Sequence, residues 1–402
     1  MPLLEGGLNL TSTPGAGQVF SMTRESAMTF FQRVTRRSVD QYARALGLYS
    51  TVTLGRNLEG VFASMRPGKH LLKARTRGCT WDPRTGVRMN VDTFPTCAIE
   101  YQGEQCSDVF FDNCFERLLA PGNEDLAATP EGQQILLEMI RNINIGLGNS
   151  FHMLYQYAEH PLIVAANTSA NYLVNDTEWT DFYNQQMSGN CGGLITQLDA
   201  LKTAGYRGYT TDVPVNTTTG AFNGTFSSLY DQVYDSASPD LRTAIDNGIM
   251  MSDGNVRYPI VLATSEVYRA LQSYINSLAP GNQQAFNYQI TGMDGVTGIN
   301  WNVLKWNGLP VVRWEAAADF DAIVGTKQHR LAIVAPGNFG ALANIDAIEE
   351  AQWNGLGLVV QKSPLLKDRQ KYYMYTQLRW GAGIADVDMA AMASTVIHPG
   401  TV

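Results

Sequence analysis

Residues 50–99 read as a long pair of extended strands, and this feature constrains the fold of the chain most. The runs VTLG, VFASM, VRMNVDTF and TCAIEY alternate polar and apolar residues or carry β-branched residues, while RPGK and DPRTG supply turns. An isolated hairpin is only marginally stable in water. We therefore expect this excursion to need a partner surface.

The charge of the chain changes sign along this region. The net charge is -8, yet one stretch is basic and contains only Asp82 as an acidic residue. Its basic residues are Arg66, Lys69, Lys73, Arg75, Arg77, Arg84 and Arg88. The next stretch is acidic against Arg117 alone: Glu100, Glu104, Asp108, Asp112, Glu116, Glu124 and Asp125. Opposite charges attract. We therefore expect the basic arm, 66–88, to lie on the 100–125 region of an adjacent copy, with contacts from Arg75, Arg77, Trp81 and Arg84.

Two helices are predicted in the first half of the chain. Thr23 caps a helix that runs to about Leu46, with Arg33, Arg36 and Arg37 clustered on it. These arginines could meet nucleic acid, pair with the carboxylates of a neighbour, or face water. A second helix spans about 130–158: Thr129 caps it, Pro130 takes its first position, and His160-Pro161 ends it.

The second half of the chain predicts an α/β pattern. Helices are expected at 194–204, 227–235, 239–248 and, after a Thr264 cap, to about 278, with a loop at 210–226. Strands are expected at 258–263, 308–314, 322–324, 331–335, 357–361, 372–379 and 384–389. At 402 residues the chain exceeds the roughly 250–300 residues at which one core usually divides. We expect two packed subdomains.

No pattern of catalytic, cofactor-binding or metal-ligating residues is found in the sequence. Phosphate-cradling glycine loops and nucleophile elbows are absent. The five histidines have no metal-ligand spacing, so structural or surface roles are expected. The five cysteines are an odd number without CxxC spacing, which argues against disulfides, and Cys191 reads as a turn residue. The carboxylate pair Asp386 and Asp388 reads as a solvated face. We expect no enzyme, no cofactor and no metal.

Composition indicates a chain that contacts other chains. Charged residues are 16% of the total, against about 25% in a typical soluble domain, so much of the surface is neutral and suits permanent contacts. The acidic balance argues against a surface that grips nucleic acid everywhere. The start MPLLEGGLNLTSTPGAG has no apolar segment typical of a secretion signal, and no apolar run reaches the roughly 20 residues of a membrane helix. We expect assembly in the cytoplasm and no membrane partner.

Read in order, these parts resemble the major capsid protein of tailed bacteriophages, which has the Hong Kong 97 (Johnson) fold. The resemblance rests on YPIVLATSEVYRALQSYI (258–275), NGLPVVRW (307–314), HRLAIVAPGNFGALANID (329–346) and YYMYTQLRWGAGIADVDMAAM (372–392), in which Arg379 and Trp380 precede a glycine turn. It implies an α+β fold with these parts: an N-terminal arm and helix (1–50), an extended loop (51–99), a peripheral domain with a spine helix (100–195), an axial domain (196–346) and a return to the peripheral domain (347–402).

The resemblance implies a protein that self-assembles as hexamers and pentamers into an icosahedral virion shell. Its partners would be its own copies, portal and scaffolding proteins, a decoration protein, and packaged double-stranded DNA held non-specifically on the inner face, where Arg33, Arg36 and Arg37 would lie. Three alternatives stay open: an encapsulin-like nanocompartment shell, an extracellular binding module, and an enzyme of unrecognised type. Copurified cargo protein would indicate the nanocompartment shell. Glycan-free monomers would count against the binding module, and a pocket of convergent titratable groups would indicate an enzyme.

Overall fold

The computed structural model describes part of the chain. These are residues 9–11, 19–21, 48–50, 53–54, 60–67, 87–106, 153–161, 191–216, 218–250, 256–278, 287–290, 301–314, 316–324, 326–344, 359–362 and 371–397. They mix helices with antiparallel and parallel strands, which confirms the predicted α+β class. None of the helices in these ranges is long and apolar enough to cross a membrane.

The described elements are numbered in chain order. The strands are β1 (Asn9–Thr11), β2 (Val19–Ser21), β3 (Tyr49–Ser50), β4 (Thr53–Leu54), β5 (Gly60–Pro67), β6 (Val87–Phe94), β7 (Cys97–Cys106), β8 (Ile249–Met250), β9 (Val256–Arg257), β10 (Ile260–Ala263), β11 (Asn287–Ile290), β12 (Trp301–Trp306), β13 (Leu309–Arg313), β14 (Lys327–Val334), β15 (Phe339–Asn344), β16 (Val359–Lys362), β17 (Lys371–Ile384) and β18 (Ala390–Ile397). The helices are α1 (Leu194–Thr203), α2 (Phe226–Ser236), α3 (Pro239–Asn247), α4 (Ser265–Ser277) and α5 (Ala316–Val324).

The chain divides into two compact units, each made of several segments. The first contains Met1–Ser38, Thr96–Leu154 and Leu342–Trp380. Within it β1, β2, β16 and β17 pair in that order, and β7 pairs with β17 from Lys371↔Cys106 to Trp380↔Cys97, all antiparallel. The second contains Val39–Pro95, Tyr155–Ala341 and Gly381–Val402.

The predicted extended excursion is confirmed by a three-stranded sheet in the second unit. Strands β4, β5 and β6 pair in that order, and the eight residues of β5 run antiparallel to the eight of β6 from Gly60↔Phe94 to Pro67↔Val87. Both long strands lie within the predicted range 51–99. The Gly60–Phe94 end of this hairpin lies against Gly381 and Gly383 of β17.

A six-stranded sheet in the order β11-β12-β13-β10-β14-β18 forms the core of the second unit. Side chains alternate between its faces, as the period of a strand requires. On one face Val261, Val311, Leu331, Ile333 and Ala391 pack against the apolar sides of α2, α3 and α4. On the other face Gln328 and Arg330 of β14 meet α1 and α5.

Three helices begin directly after a Thr or Ser residue, of which only Thr264 was predicted as a cap. Thr225 and Ser238 accept hydrogen bonds from the backbone N–H of Ser228 and Leu241, which begins α2 and α3. Thr264 precedes α4 but makes no cap bond, because its hydroxyl accepts a hydrogen bond from the backbone N–H of Arg330 at 3.0 Å. The position predicted for the cap is therefore right, and its hydroxyl joins α4 to β14 instead.

The end of the long predicted helix is described, and the helix ends where expected. Residues 153–157 are helical, Glu159 adopts a left-handed conformation with φ of 57°, and His160 follows outside the helix. A left-handed residue after the last turn is a common way to end a helix. The body of this helix and the N-terminal helix predicted up to Leu46 lie outside the described residues.

Two strand predictions are wrong, each for a local reason. Ala322–Val324 is the last turn of α5: a three-residue apolar run cannot separate helix from strand, and the preceding alanines favour helix. Residues 384–389 are not one strand, because Asp386 accepts a hydrogen bond from the N–H of Asp388 and begins a short 3-10 helix, Val387–Met389.

The strand after this 3-10 helix was not predicted. Strand β18 pairs with the whole of β14 from Lys327↔Ile397 to Val334↔Ala390. Its alanine-rich sequence has weak strand propensity, so the pattern did not reveal it. The prediction of a glycine turn after Trp380 is wrong, since Gly381 and Gly383 lie inside β17. The subdomain boundaries stay a prediction.

Candidate assembly arm and buried charge network

The hairpin of β5 and β6 is the part of the structure that corresponds to the predicted basic arm. Its ladder places Arg66 directly opposite Arg88, one pair before the end of the strands.

The residues predicted to make contacts lie outside the described residues. Arg75, Arg77, Trp81 and Arg84 occupy the connection between Pro67 and Val87, where β5 ends and β6 begins. Arg33, Arg36 and Arg37 also lie outside. Their contacts therefore stay predictions.

Two members of the acidic region are placed by the structure. Glu100 and Glu104 lie on β7 and are register partners of Gln377 and Tyr373 on β17. The other acidic residues of 100–125 lie outside the described residues.

A second feature, which the sequence did not reveal, is a buried network around Arg330. Arg330 is 0% exposed and lies on the face of β14 that meets α1. Both of its terminal nitrogens donate to the carboxylate of Asp199 on α1, one of them at 2.7 Å, and its Nε donates to Gln328 Oε1 at 2.9 Å. Burying a guanidinium is costly unless it is paired and hydrogen-bonded, and here each of its three nitrogens donates a hydrogen bond, two of them to one carboxylate.

The network extends to the segment that follows the long helix. His160 Nε2 lies 2.9 Å from Asp199 Oδ2, and the hydroxyl of Tyr157 donates to Gln328 Oε1 at 3.2 Å. The ring of Phe320 from α5 stacks on Tyr157 with centroids 4.0 Å apart and meets His160 edge-on at 5.1 Å. Three separate parts of the chain are thereby tied to β14.

Asp321 of α5 completes the chain of hydrogen bonds. Its carboxylate accepts from the backbone N–H of Gln328, from the side-chain amide of Gln328 and from the hydroxyl of Thr326, each at 3.0 Å. The amide of Gln328 therefore joins Asp321 to Arg330. Burial raises the pKa of Asp321, and these hydrogen bonds oppose the effect.

The electrostatics of the network favour one arrangement of charge. Burial alone would raise the pKa of Asp199, but the charge of Arg330 and the hydrogen bonds from His160 and Arg330 outweigh it and hold the pKa at about 2. Burial lowers the pKa of His160, and its bond to Asp199 opposes this only in part. At neutral pH Asp199 is thus ionised and accepts only, so Nε2 of a neutral His160 carries the proton it donates.

This arrangement holds segments together and offers no reactive group. Arg330 and His160 are almost wholly inaccessible, and the nitrogens of Arg330 are occupied by Asp199 and Gln328. Within the described ranges, no group of three or more His, Cys, Asp or Glu side chains is placed to hold a metal ion. In the sequence, the polar half of the run KQHRLAIV precedes its apolar half, and this pattern does not indicate which residue Arg330 faces.

The other residues singled out in the sequence have structural roles where they are described. His160 and His329 are buried and hydrogen-bonded, His329 to the carbonyl of Gly220 at 2.9 Å, which confirms the structural role expected for these two. Asp386 caps the 3-10 helix, and Asp388 accepts from the hydroxyl of Tyr206 at 3.2 Å. These carboxylates serve local structure.

The expectation against disulfides is wrong for two cysteines. Cys97 and Cys191 are each disulfide-bonded. An odd cysteine count leaves at least one thiol over, but it does not prevent the others from pairing. Absence of CxxC spacing likewise says nothing about cysteines that are distant in sequence.

Comparisons with known proteins add similarities in structure. No family profile matches the chain, and no curated protein sequence is similar to it. Among similar solved structures, the procapsid of satellite phage P4 including its size determination protein is 10% identical, with 91% of this chain and 98% of that chain covered and a TM-score of 0.46. The capsid of the native GTA particle is 10% identical (87% and 90% covered, TM-score 0.40), and the structure of Gordonia phage Cozz is 13% identical (87% and 85% covered, TM-score 0.40). At these identities and scores, function is inferred from this chain's own residues.

Proposed function

We propose that this chain is a major capsid protein with the Hong Kong 97 fold, which self-assembles into the icosahedral shell of a tailed phage. The observation that carries the proposal is the hairpin of β5 and β6, two eight-residue strands that form a sheet of their own with the short β4. A hairpin of this kind buries too little to be stable alone. A neighbouring copy supplies the missing surface.

The order of elements supports the proposal. An extended hairpin (60–94) precedes a helix that ends at 157, a six-stranded α/β sheet follows, and the long strands β17 and β18 close the chain. This is the order that the resemblance implies for a shell protein.

The assembly mechanism rests on the extended arm. The basic arm, 66–88, lies on the acidic 100–125 region of an adjacent subunit, and many weak contacts of this type close a curved shell of hexamers and pentamers. Arg75, Arg77, Trp81 and Arg84 make the contacts. The shell forms the virion capsid and is assembled in the host cytoplasm, with portal, scaffolding and decoration proteins as further partners.

Charge reversal tests this mechanism. Changing Arg75, Arg77 and Arg84 together to Glu removes the attraction, so we expect assembly to fail or to change its dependence on salt. The matched control changes three cations of the N-terminal helix, Arg33, Arg36 and Arg37, to Gln. Unchanged assembly and unchanged salt response of the arm variant would contradict the mechanism.

The same control variant tests the DNA-facing role proposed for Arg33, Arg36 and Arg37. If these residues meet packaged double-stranded DNA non-specifically, neutralising them lowers the stability of DNA-filled shells and leaves empty shells as they were. Thermal release of DNA measures the difference. Unchanged stability of the DNA-filled shells would contradict the DNA-facing role of these arginines.

Size-exclusion chromatography tests the proposed function as a whole. We expect the chain, expressed with its neighbouring genes, to elute as capsomers or larger particles. A monomer or small oligomer under all conditions would contradict self-assembly and favour a function as a binding module or an enzyme. Copurification of a cargo enzyme in place of DNA would indicate a nanocompartment shell.

A further inference from the structure

The ring of Phe94 lies in a slot lined by three glycines at the root of the extended hairpin. Phe94 is the last residue of β6, is 5% exposed, and is the register partner of Gly60 at the start of β5. Gly381 and Gly383 of β17 contribute the other wall. These two are separated by one residue on a strand, so they present the same face to the ring.

The slot has no room for any larger residue. A Cβ atom at Gly60 would lie 2.3 Å from both Cε2 and Cζ of Phe94, one at Gly381 would lie 2.8 Å from Cε2 and from the carbonyl oxygen of Pro95, and one at Gly383 would lie 2.6 Å from Cδ1. Real Cβ atoms essentially never approach another atom closer than 3.0 Å. All three positions therefore require glycine for space.

Backbone conformation does not explain these glycines. None of the three has the positive φ that favours glycine elsewhere in the chain, as at Gly208 and Gly220. Glycine inside a strand weakens it, and it often marks a close approach of another group. Here the group that approaches each glycine is the same aromatic ring.

We propose that Gly60, Gly381 and Gly383 form a clamp on Phe94 that fixes the root of the extended hairpin to its own subunit before any neighbour binds. The inference rests on the proposed function, in which this hairpin is the assembly arm. The clamp sets the direction in which the arm leaves the subunit.

Hydrogen exchange of the unassembled full-length subunit tests the clamp. Each of Gly60→Ala, Gly381→Ala and Gly383→Ala displaces the ring, so we expect the amides at the root of the hairpin, next to Gly60 and Phe94, to exchange at least about tenfold faster while those of β14 keep their rates. Gly192→Ala is the matched control, because a Cβ there meets its nearest atoms at an ordinary 3.9–4.0 Å. Root amides that are unprotected in the wild type, or unaffected by all three variants, would overturn the clamp, as would equal acceleration in β14.

A double variant shows whether the effect passes through the ring. Leucine lacks Cε2 and Cζ, the two atoms that a Cβ at Gly60 would meet most closely. In a Phe94→Leu background we therefore expect Gly60→Ala to change hairpin exchange by less than about twofold. An undiminished effect would contradict the clamp.

The clamp and the proposed function fail separately. Exchange is measured on single subunits, whereas particle formation is measured on the assembled sample. A protected hairpin root in a wild-type chain that never forms particles would support the clamp and contradict the shell function. Particles built from a subunit whose hairpin root exchanges freely would support the shell function and contradict the clamp.

Discussion

At the residue scale, Arg330 decides how the second unit is held together. Its side chain points to the face of β14 opposite the apolar core, where Asp199, Gln328, His160 and Tyr157 complete its surroundings. A buried pair of this kind adds little stability over apolar residues, but breaking it leaves a charge without a partner. We infer that it specifies which segments meet at β14.

Neutralising Asp199 should expose this dependence. With Asp199→Asn the guanidinium of Arg330 loses its only described carboxylate partner while it stays buried. We expect the free energy of unfolding to fall by about 3–5 kcal/mol, measured by urea denaturation of the unassembled subunit. The control Arg269→Gln breaks the exposed pair with Glu266 and should change it by less than about 1 kcal/mol. Equal effects of both variants would contradict the role given to the network.

The depressed pKa of Asp199 makes the difference in free energy of unfolding between the wild type and Asp199→Asn depend on pH. Its pKa is about 2 in the folded protein against an ordinary 3.8, so the unfolded chain binds the proton first as the pH falls. The stability it contributes is complete above about pH 4 and is lost towards pH 2, amounting to about 2 kcal/mol. We expect the gap between wild type and Asp199→Asn to narrow by that amount over this range. A constant gap would show that Asp199 is not held ionised by Arg330.

The cysteines can be checked chemically. Because Cys97 and Cys191 are disulfide-bonded, at most three of the five cysteines carry free thiols. Denatured protein that has not been reduced should therefore take up no more than three equivalents of a thiol reagent, and five after reduction. Five equivalents before reduction would contradict the disulfides.

At the scale of elements, two helix caps of the same type should differ in their effect. Thr225 only accepts from the N–H of Ser228, whereas Ser238 accepts from Leu241 and also donates to the carbonyl of Asp388 next to β18. We expect Thr225→Ala to destabilise the subunit by about 1 kcal/mol and Ser238→Ala by about 2 kcal/mol, because the second variant also loses the hydrogen bond to the carbonyl of Asp388. Thermal unfolding of the two variants measures this. Equal losses would show that the bond to Asp388 contributes nothing.

Sequence patterns located most described elements but not their partners. Helices α1 to α4 and the hairpin strands follow from caps, turns and periodicity, which are local signals. Strand β18 was missed because Ala390–Ile397 owes its conformation to pairing along β14 and to burial, both of which are long-range. Gly381 and Gly383 were misread for the same reason, since the ring of Phe94 that needs them is distant in sequence.

At the scale of the whole molecule, the sequence predicts contacts with other copies, whereas it did not predict the buried network. Charge reversal between 66–88 and 100–125 and the low content of charged residues both point to contacts with other copies. The buried network was not foreseen, because a single arginine in β14 gives no hint of whether a carboxylate will face it. Asp199 and Arg330 meet only once α1 packs on the sheet.

The central claim is that copies of this chain close into a shell, and negative-stain electron microscopy of the chain expressed alone and with its neighbouring genes tests it most directly. We expect closed icosahedral particles or hexameric capsomers, with extended arms overlapping neighbours. Fields that contain only small, unassembled particles in both preparations would contradict the claim.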